Sequence, residues 1–247
     1  MTVALITGGG RGLGAATARE LAARGHHVVV NYRQDAARAK EVAAEVGSAV
    51  QADVTDAGDV DRMVDRVLAE HGRIDVLVVN ANTVQPRFTS LAELTWDEFN
   101  TKVTGELAGA FHVTKRVVEV MRANGKGRIV FVGSTAADYV GGGRMAHGIA
   151  KNALAAFARH VAAETARDGI TVLTVVVGAV RTEASAHVIT GAAEEKLAAN
   201  SVLGRVLEPA DVAAAIAAAA SDDLRTATGS AIRVDAGWSV LVGGPLR

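Results

Sequence analysis

Residues 3–14 read Val3-Ala4-Leu5-Ile6-Thr7-Gly8-Gly9-Gly10-Arg11-Gly12-Leu13-Gly14, an apolar run that breaks into glycine and resumes as a helical pattern. The run Val3–Thr7 predicts a buried strand, and residues 12–24 predict a helix. The glycines between them permit backbone angles closed to other residues and let the chain approach a bound group closely. The helix start adds unpaired N–H groups and a partial positive charge. Strand, glycine turn and helix N-terminus, in that order, predict a cradle for a diphosphate.

Outward from this unit the alternation repeats. Further strands are predicted at Val28–Asn31, Ala49–Ala52, Val76–Val79, Ile129–Val132, Val172–Val176 and Ile232–Val234. Between them lie helices near 36–46, 57–71, 95–122, 147–167 and 209–220. Most of the strands are apolar without alternation, as parallel strands covered on both faces are. The pattern predicts an α/β, doubly wound parallel sheet with helices on both faces. With three prolines and no linker, residues 1–247 read as a single domain. Residues 183–203 follow no strand directly. They read as a helical lid over the open end of the sheet, with Ala184, Ala186, Val188 and Ile189 as its apolar cover.

Composition narrows the partners. A formal charge of −1 argues against nucleic acid and membrane surfaces, which both select basic patches. The absence of cysteine removes disulfides and thiolate chemistry and fits a reducing compartment. The longest apolar run, Val212–Ala220, is too short to span a bilayer, and the first residues carry no leader pattern. A cytoplasmic protein is expected.

The end of the second strand bears on which dinucleotide is held. An acidic residue there would bond the ribose hydroxyls of NAD; this chain has Asn31-Tyr32-Arg33, with Arg11 in the loop. Two guanidinium groups suit a 2′-phosphate, so NADP(H) is the expected cofactor, the alternative being two solvated arginines. Asp53-Val54, after the third strand, is placed either to contact the adenine or to cap the next helix.

These residues carry a resemblance. Thr7 to Gly14 resembles the TGxxxGxG loop of classical short-chain dehydrogenases/reductases, and the chain is especially similar to bacterial 3-oxoacyl-carrier-protein reductases. The likeness continues through Ala52-Asp53-Val54-Thr55-Asp56, Arg73-Ile74-Asp75-Val76, Gly127-Arg128-Ile129-Val130, Glu208-Pro209-Ala210-Asp211 and Val234-Asp235-Ala236-Gly237. It implies a Rossmann-like sheet of seven mostly parallel strands. It implies hydride transfer between a nicotinamide and a carbonyl or alcohol carbon, a small-molecule carbonyl or acyl substrate, and a homodimer or homotetramer built on helices 95–122 and 147–167. Thr7, Gly8, Gly10, Arg11, Gly12, Leu13, Gly14, Asn31, Tyr32, Arg33, Asp53, Val54, Asn80, Ala81, Lys151 and Thr182 then fall at cofactor-binding positions.

The resemblance also implies an Asn, Ser, Tyr, Lys catalytic set, and here the chain departs. Ser134 and Lys151 match. The tyrosine position, four before the lysine and thirteen after the serine, is His147, and the asparagine position is Glu106. His147 and Lys151 share a helix face. An apolar stripe of Phe99, Val103, Leu107, Ala110, Thr114, Val117 and Met121 runs along helix 95–122 with Glu106 beside it. A carboxylate so placed needs a partner, expected to be Lys151 or His147. A neutral imidazole can exchange a proton near pH 7, with Lys151 disfavouring the imidazolium and Glu106 favouring it. Tyr139, in the loop after Ser134, is the other candidate proton donor.

An NADPH-dependent ketoreductase with an atypical acid follows as the leading expectation. A nucleotide-binding protein without turnover and a redox-neutral isomerase or cyclase are the rivals. A hydrolase lacks its GxSxG elbow, since Val132 and Ala136 flank Ser134, and the histidines show no metal-binding spacing.

Overall fold

The computed structural model describes residues 1–85 and 87–241. Seven strands form one sheet in the order β3-β2-β1-β4-β5-β6-β7. They are β1 (Thr2–Ile6), β2 (His26–Tyr32), β3 (Gly47–Gln51), β4 (Val76–Val79), β5 (Gly127–Ser134), β6 (Ile170–Val177) and β7 (Ala231–Val234). Every pairing is parallel, so the sheet is wholly rather than mostly so. The helices are α1 (Gly12–Ala23), α2 (Ala36–Val46), α3 (Ala57–His71), α4 (Trp96–Ala123), α5 (Met145–Thr165), α6 (Gly191–Ala199) and α7 (Pro209–Ala219).

Residues alternate between two cores because successive strand side chains point to opposite faces. Val3 and Leu5 pack with α3, α4 and α5, through Met63, Val117 and Leu154. Ala4 and Ile6 pack with α1, α2 and α7, through Leu21, Val42 and Ile216. Asp75 ties three strands together at their N-terminal ends. Its carboxylate accepts from Val3 N at 2.8 Å and from the Arg73 guanidinium at 2.8 and 2.5 Å, and its carbonyl accepts from Arg128 N at 2.9 Å.

Several boundaries differ from expectation for local reasons. β3 begins at Gly47, where φ of +152° and a backbone close to Val28 carry the chain directly from α2 into pairing. Thr95 and Glu98 form a reciprocal capping box, so Thr95 precedes α4 rather than opening it. The expected lid is helical only over α6. The chain before it turns on Thr182 and Ser185, with Ser185 Oγ donating to Val180 O at 2.7 Å. Of its four expected covering residues only Ile189 is buried, because this turning chain leaves Ala184, Ala186 and Val188 facing outward.

After β3 the chain crosses to the other side of β1 and continues as β4. The direction of winding therefore reverses between β1 and β4, and a crevice opens beyond their C-terminal ends. The glycine loop lies there.

Candidate functional site: a glycine cradle beside a buried charge network

The loop is held from below by Thr7, Asn80 and Asn31. Thr7 Oγ1 accepts from Asn80 N at 2.9 Å and Ala81 N at 3.0 Å, and donates to Val78 O at 3.3 Å. Asn80 Nδ2 donates to Thr7 O and Gly8 O. Asn31 is buried, accepting from Gly8 N at 3.3 Å and donating to Ala52 O at 3.1 Å. A Cβ on Gly14 would lie 2.3 Å from Gly8 O, so glycine is required there. Gly8 and Gly12 take φ of +65° and +51°. Gly10 packs its backbone on Ala39. Arg11 precedes α1 in extended conformation and gives the helix no side-chain cap, so the first N–H groups, from Gly12 to Gly14, stay open to an anion.

Around this cradle the other expected cofactor residues take distinct places. Arg11 is exposed and makes no ion pair among the described residues. Arg33 is exposed, with a guanidinium nitrogen 3.6 Å from Asp53. The other oxygen of Asp53 accepts from Thr55 N and Oγ1 at 2.9 and 2.7 Å, and Asp56, not Asp53, caps α3. Tyr32 packs partly against the core, and Val54 is buried beside Gly109. Leu13 also packs on the core. Thr182 sits over Gly12, with its Cβ 3.7 Å from where a Cβ on that glycine would stand. These donors, the open helix start and the two arginines fit a dinucleotide diphosphate with a further phosphate.

The second half of the site is a buried charge network. Glu106 Oε1 accepts from Lys151 Nζ at 2.6 Å, and Oε2 accepts from Lys102 Nζ at 2.7 Å. Lys151 also donates to Val132 O at 3.2 Å. All three side chains are buried. Burial opposes the Glu106 charge, but the ammonium groups of Lys151 and Lys102 outweigh it and hold the carboxyl below its ordinary value. A void of about 10 Å³ lies between Glu106, Thr7 and Ala81, so the network sits against the glycine loop.

His147 stands one turn before Lys151 on α5. Its Nδ1 is enclosed with no hydrogen-bond partner among the described residues, and its ring meets Phe88 edge-on at 6.2 Å. Burial first, then Lys151 and Lys102, pull its pKa from 6.5 to about 4, against Glu106 and with a further push from Arg144. The contest left open by the sequence therefore goes against the imidazolium. Ser134 ends β5 and accepts from Ala136 N at 3.2 Å, keeping its own proton available. The first turn of α5 packs on that same segment, since a Cβ on Gly148 would lie 2.8 Å from Ala136 O. Tyr139 points elsewhere. Its hydroxyl donates to Ser239 O at 3.5 Å, and its ring stands on Trp238 at 4.7 Å. It lines a cavity of about 410 Å³ together with Ala136, Arg144, Leu197 and Trp238.

A family model described as Enoyl-(Acyl carrier protein) reductase matches residues 8–239. Momilactone A synthase from Oryza sativa subsp. japonica is 36% identical over 247 residues, covering 97% of this chain and 90% of that protein. A 3-oxoacyl-[acyl-carrier-protein] reductase from Synechocystis is 35% identical over 242 residues, covering 95% and 96%. Among solved structures, a short-chain dehydrogenase/reductase from Serratia marcescens superimposes with a TM-score of 0.88 at 29% identity, covering 96% and 98%. A gluconate 5-dehydrogenase from Burkholderia cenocepacia, in complex with NADP and tartrate, gives 0.90 at 28%, covering 98% and 96%. This chain belongs to the short-chain dehydrogenase/reductase family.

For a short-chain dehydrogenase/reductase the fold is in place. The expected partner of Glu106 is present in Lys151, and a second, Lys102, was missed. Its spacing of four residues before Glu106 on one helix was the available signal. The apolar stripe is also displaced in the first half of α4. Lys102, Glu106, Gly109, Ala110 and Val113 are buried, whereas Phe99, Val103 and Leu107 are only partly so. No helix of the described residues is long and apolar enough to cross a membrane, and no group there has the makeup of a metal site.

Proposed function

We propose that the protein is an NADPH-dependent ketoreductase acting on a ketone or β-ketoacyl carbonyl, with His147 in the role usually taken by tyrosine. The observation that carries this reading is the 2.6 Å contact between Lys151 and Glu106. It holds the α5 face bearing His147 and Lys151 beside the glycine loop and the end of β5. When bound, NADPH supplies the hydride.

The residues divide the remaining work. The loop from Thr7 to Gly14 takes the diphosphate, with Arg11 and Arg33 on the 2′-phosphate; Arg33 is drawn off its weak contact with Asp53. Tyr32, Asp53 and Val54 border the adenosine, Asn80 and Ala81 the nicotinamide ribose, and Thr182 the carboxamide. Lys151 spends two of its three donors on Glu106 and Val132 and keeps the third for the ribose hydroxyls. Ser134 holds the substrate oxygen.

His147 is neutral at physiological pH. An orphaned buried N–H is rarer than an orphaned lone pair, so the enclosed Nδ1 carries the lone pair and Nε2 the proton. Nε2–H donates to the carbonyl oxygen, as neutral imidazole does elsewhere in catalysis, and passes its proton as charge builds there. The Lys151 ammonium stabilises the resulting imidazolate until solvent restores the proton.

NADPH binding by calorimetry, paired with NADPH consumption over a panel of ketones and β-ketoacyl thioesters, tests the reading. Tight binding with no carbonyl reduced would sink it and leave a nucleotide-binding protein without turnover. A second reading, a redox-neutral isomerase, draws on the free-base state of His147. It requires substrate conversion with no change in nicotinamide absorbance.

The same proposal includes a cytoplasmic homodimer or homotetramer joined through α4 and α5. Phe111 on α4 and Met145 and Ile149 on α5 are exposed apolar residues that such contacts would cover.

A further inference from the structure

Lys102 touches neither the cradle nor the cavity, yet it is among the most deeply buried large side chains of the protein. Its three donors are all used. Nζ donates to Glu106 Oε2 at 2.7 Å, to Asn82 Oδ1 at 2.7 Å and to Val84 O at 2.9 Å. Asn82 and Val84 belong to the segment between β4 and α4. Further along, that segment meets the loop that precedes α5, where Thr89 N donates to Gly143 O at 3.0 Å. One lysine thus binds a carboxylate on its own helix and the chain that leaves β4 beside the glycine loop.

The carboxylate receives one lysine on each oxygen. Two ammonium groups on one carboxylate leave a net positive charge in a region with little solvent. Such clusters are inefficient as pure stabilisers, because apolar residues of similar volume commonly do as well or better. A geometric role accounts for the arrangement. With only Lys151 as partner, Glu106 could turn about its side-chain bonds; with Lys102 on the second oxygen it is fixed at both ends.

We propose that Lys102 is a positioning residue, which through Glu106 clamps the ammonium of Lys151 and sets the charge facing His147. The inference rests on the ketoreductase reading for its effect on rate, but not for its effect on His147. The charged groups acting on the imidazole are Lys151 on its own helix, Arg144 just before that helix, and Lys102 and Glu106 on α4. The third packed element contributes the Phe88 ring, which is uncharged. Removing Lys102 leaves Glu106 and Lys151 as a neutral pair, so the imidazole becomes easier to protonate. Neutralising Glu106 does the reverse, leaving two lysines unopposed.

The test is the titration of His147 followed by nitrogen-15 NMR in the intact protein, with the signal assigned by His147→Gln. In Lys102→Met the midpoint rises by on the order of one pH unit. In Glu106→Gln it falls below its starting value of about 4. In steady-state assays, kcat of Lys102→Met drops roughly tenfold or more while KM and NADPH affinity stay within about twofold. A purely structural lysine would lower the melting temperature and leave the midpoint in place. An unmoved midpoint in folded Lys102→Met overturns the proposal. Should that variant fail to fold, an unmoved or raised midpoint in Glu106→Gln overturns it instead. The titration needs no turnover, so loss of the clamp is distinguishable from loss of the ketoreductase reading.

Discussion

His147 carries two expectations of its own. His147→Ala is expected to slow the chemical step roughly 10²-fold or more with NADPH affinity unchanged, in stopped-flow single turnovers. Its titration also enters stability. The unfolded chain takes up this proton near pH 6.5 and the folded chain only near about 4, so between those values the unfolded state binds more protons. Stability therefore falls as pH drops through that window and levels off below it. Urea midpoints from pH 7 to 4 should decline less steeply in His147→Ala than in the parent. At the adenosine end, Arg11→Ala with Arg33→Ala should weaken NADPH at least about tenfold and leave NADH nearly unchanged, because only the extra phosphate loses its partners. The candidate site was partly legible in the sequence. Counting from Ser134 and Lys151 located His147, and an acidic residue on a buried helix demanded a partner. Lys102 escaped because apolar side chains were assumed to mark the inward face of α4, while the first turns bury charge instead. Asn31 was read by its place at a strand end, which says nothing of where both ends of its amide are spent.

Among the elements, the β1–loop–α1 unit tolerates least. Gly14→Ala pushes a methyl carbon to 2.3 Å from Gly8 O. The loop must open, and NADPH affinity should fall at least about tenfold with a stability loss of roughly 1–3 kcal/mol, read by calorimetry and urea unfolding. Helix α4 offers a milder case. Thr95→Ala removes one half of a reciprocal cap and should cost about 1 kcal/mol without touching the site. The strands were readable because parallel strands buried on both faces run mostly apolar without alternation, as in β6, which is buried from Ile170 to Val177 with Thr171 and Thr174 its two polar side chains. The segment from 183 to 203 was not, because its alanines satisfy helical propensity without telling which residues are covered. The turn made by Thr182 and Ser185 depends on hydroxyl groups that also suit a helix start.

At the level of the whole molecule, the proposed cofactor would bridge α1, the β4–α4 segment and the network on α4 and α5. A ligand that binds only the folded chain adds about 2.7 kcal/mol at one hundred times its dissociation constant. NADPH should raise the melting temperature, NADH should do so less, and the difference should vanish when Arg11 and Arg33 are both alanine. The strand order has a separate consequence, for the birth of the protein. With β1 lying between β2 and β4, one flank of the first strand made has no neighbour until Val76–Val79 leave the ribosome. For that interval the nascent chain exposes an apolar ribbon with free amides and carbonyls, open to strangers. Stalled chains ending near residue 70 should bind holdase chaperones more strongly than chains ending past residue 135, whose central four strands can close.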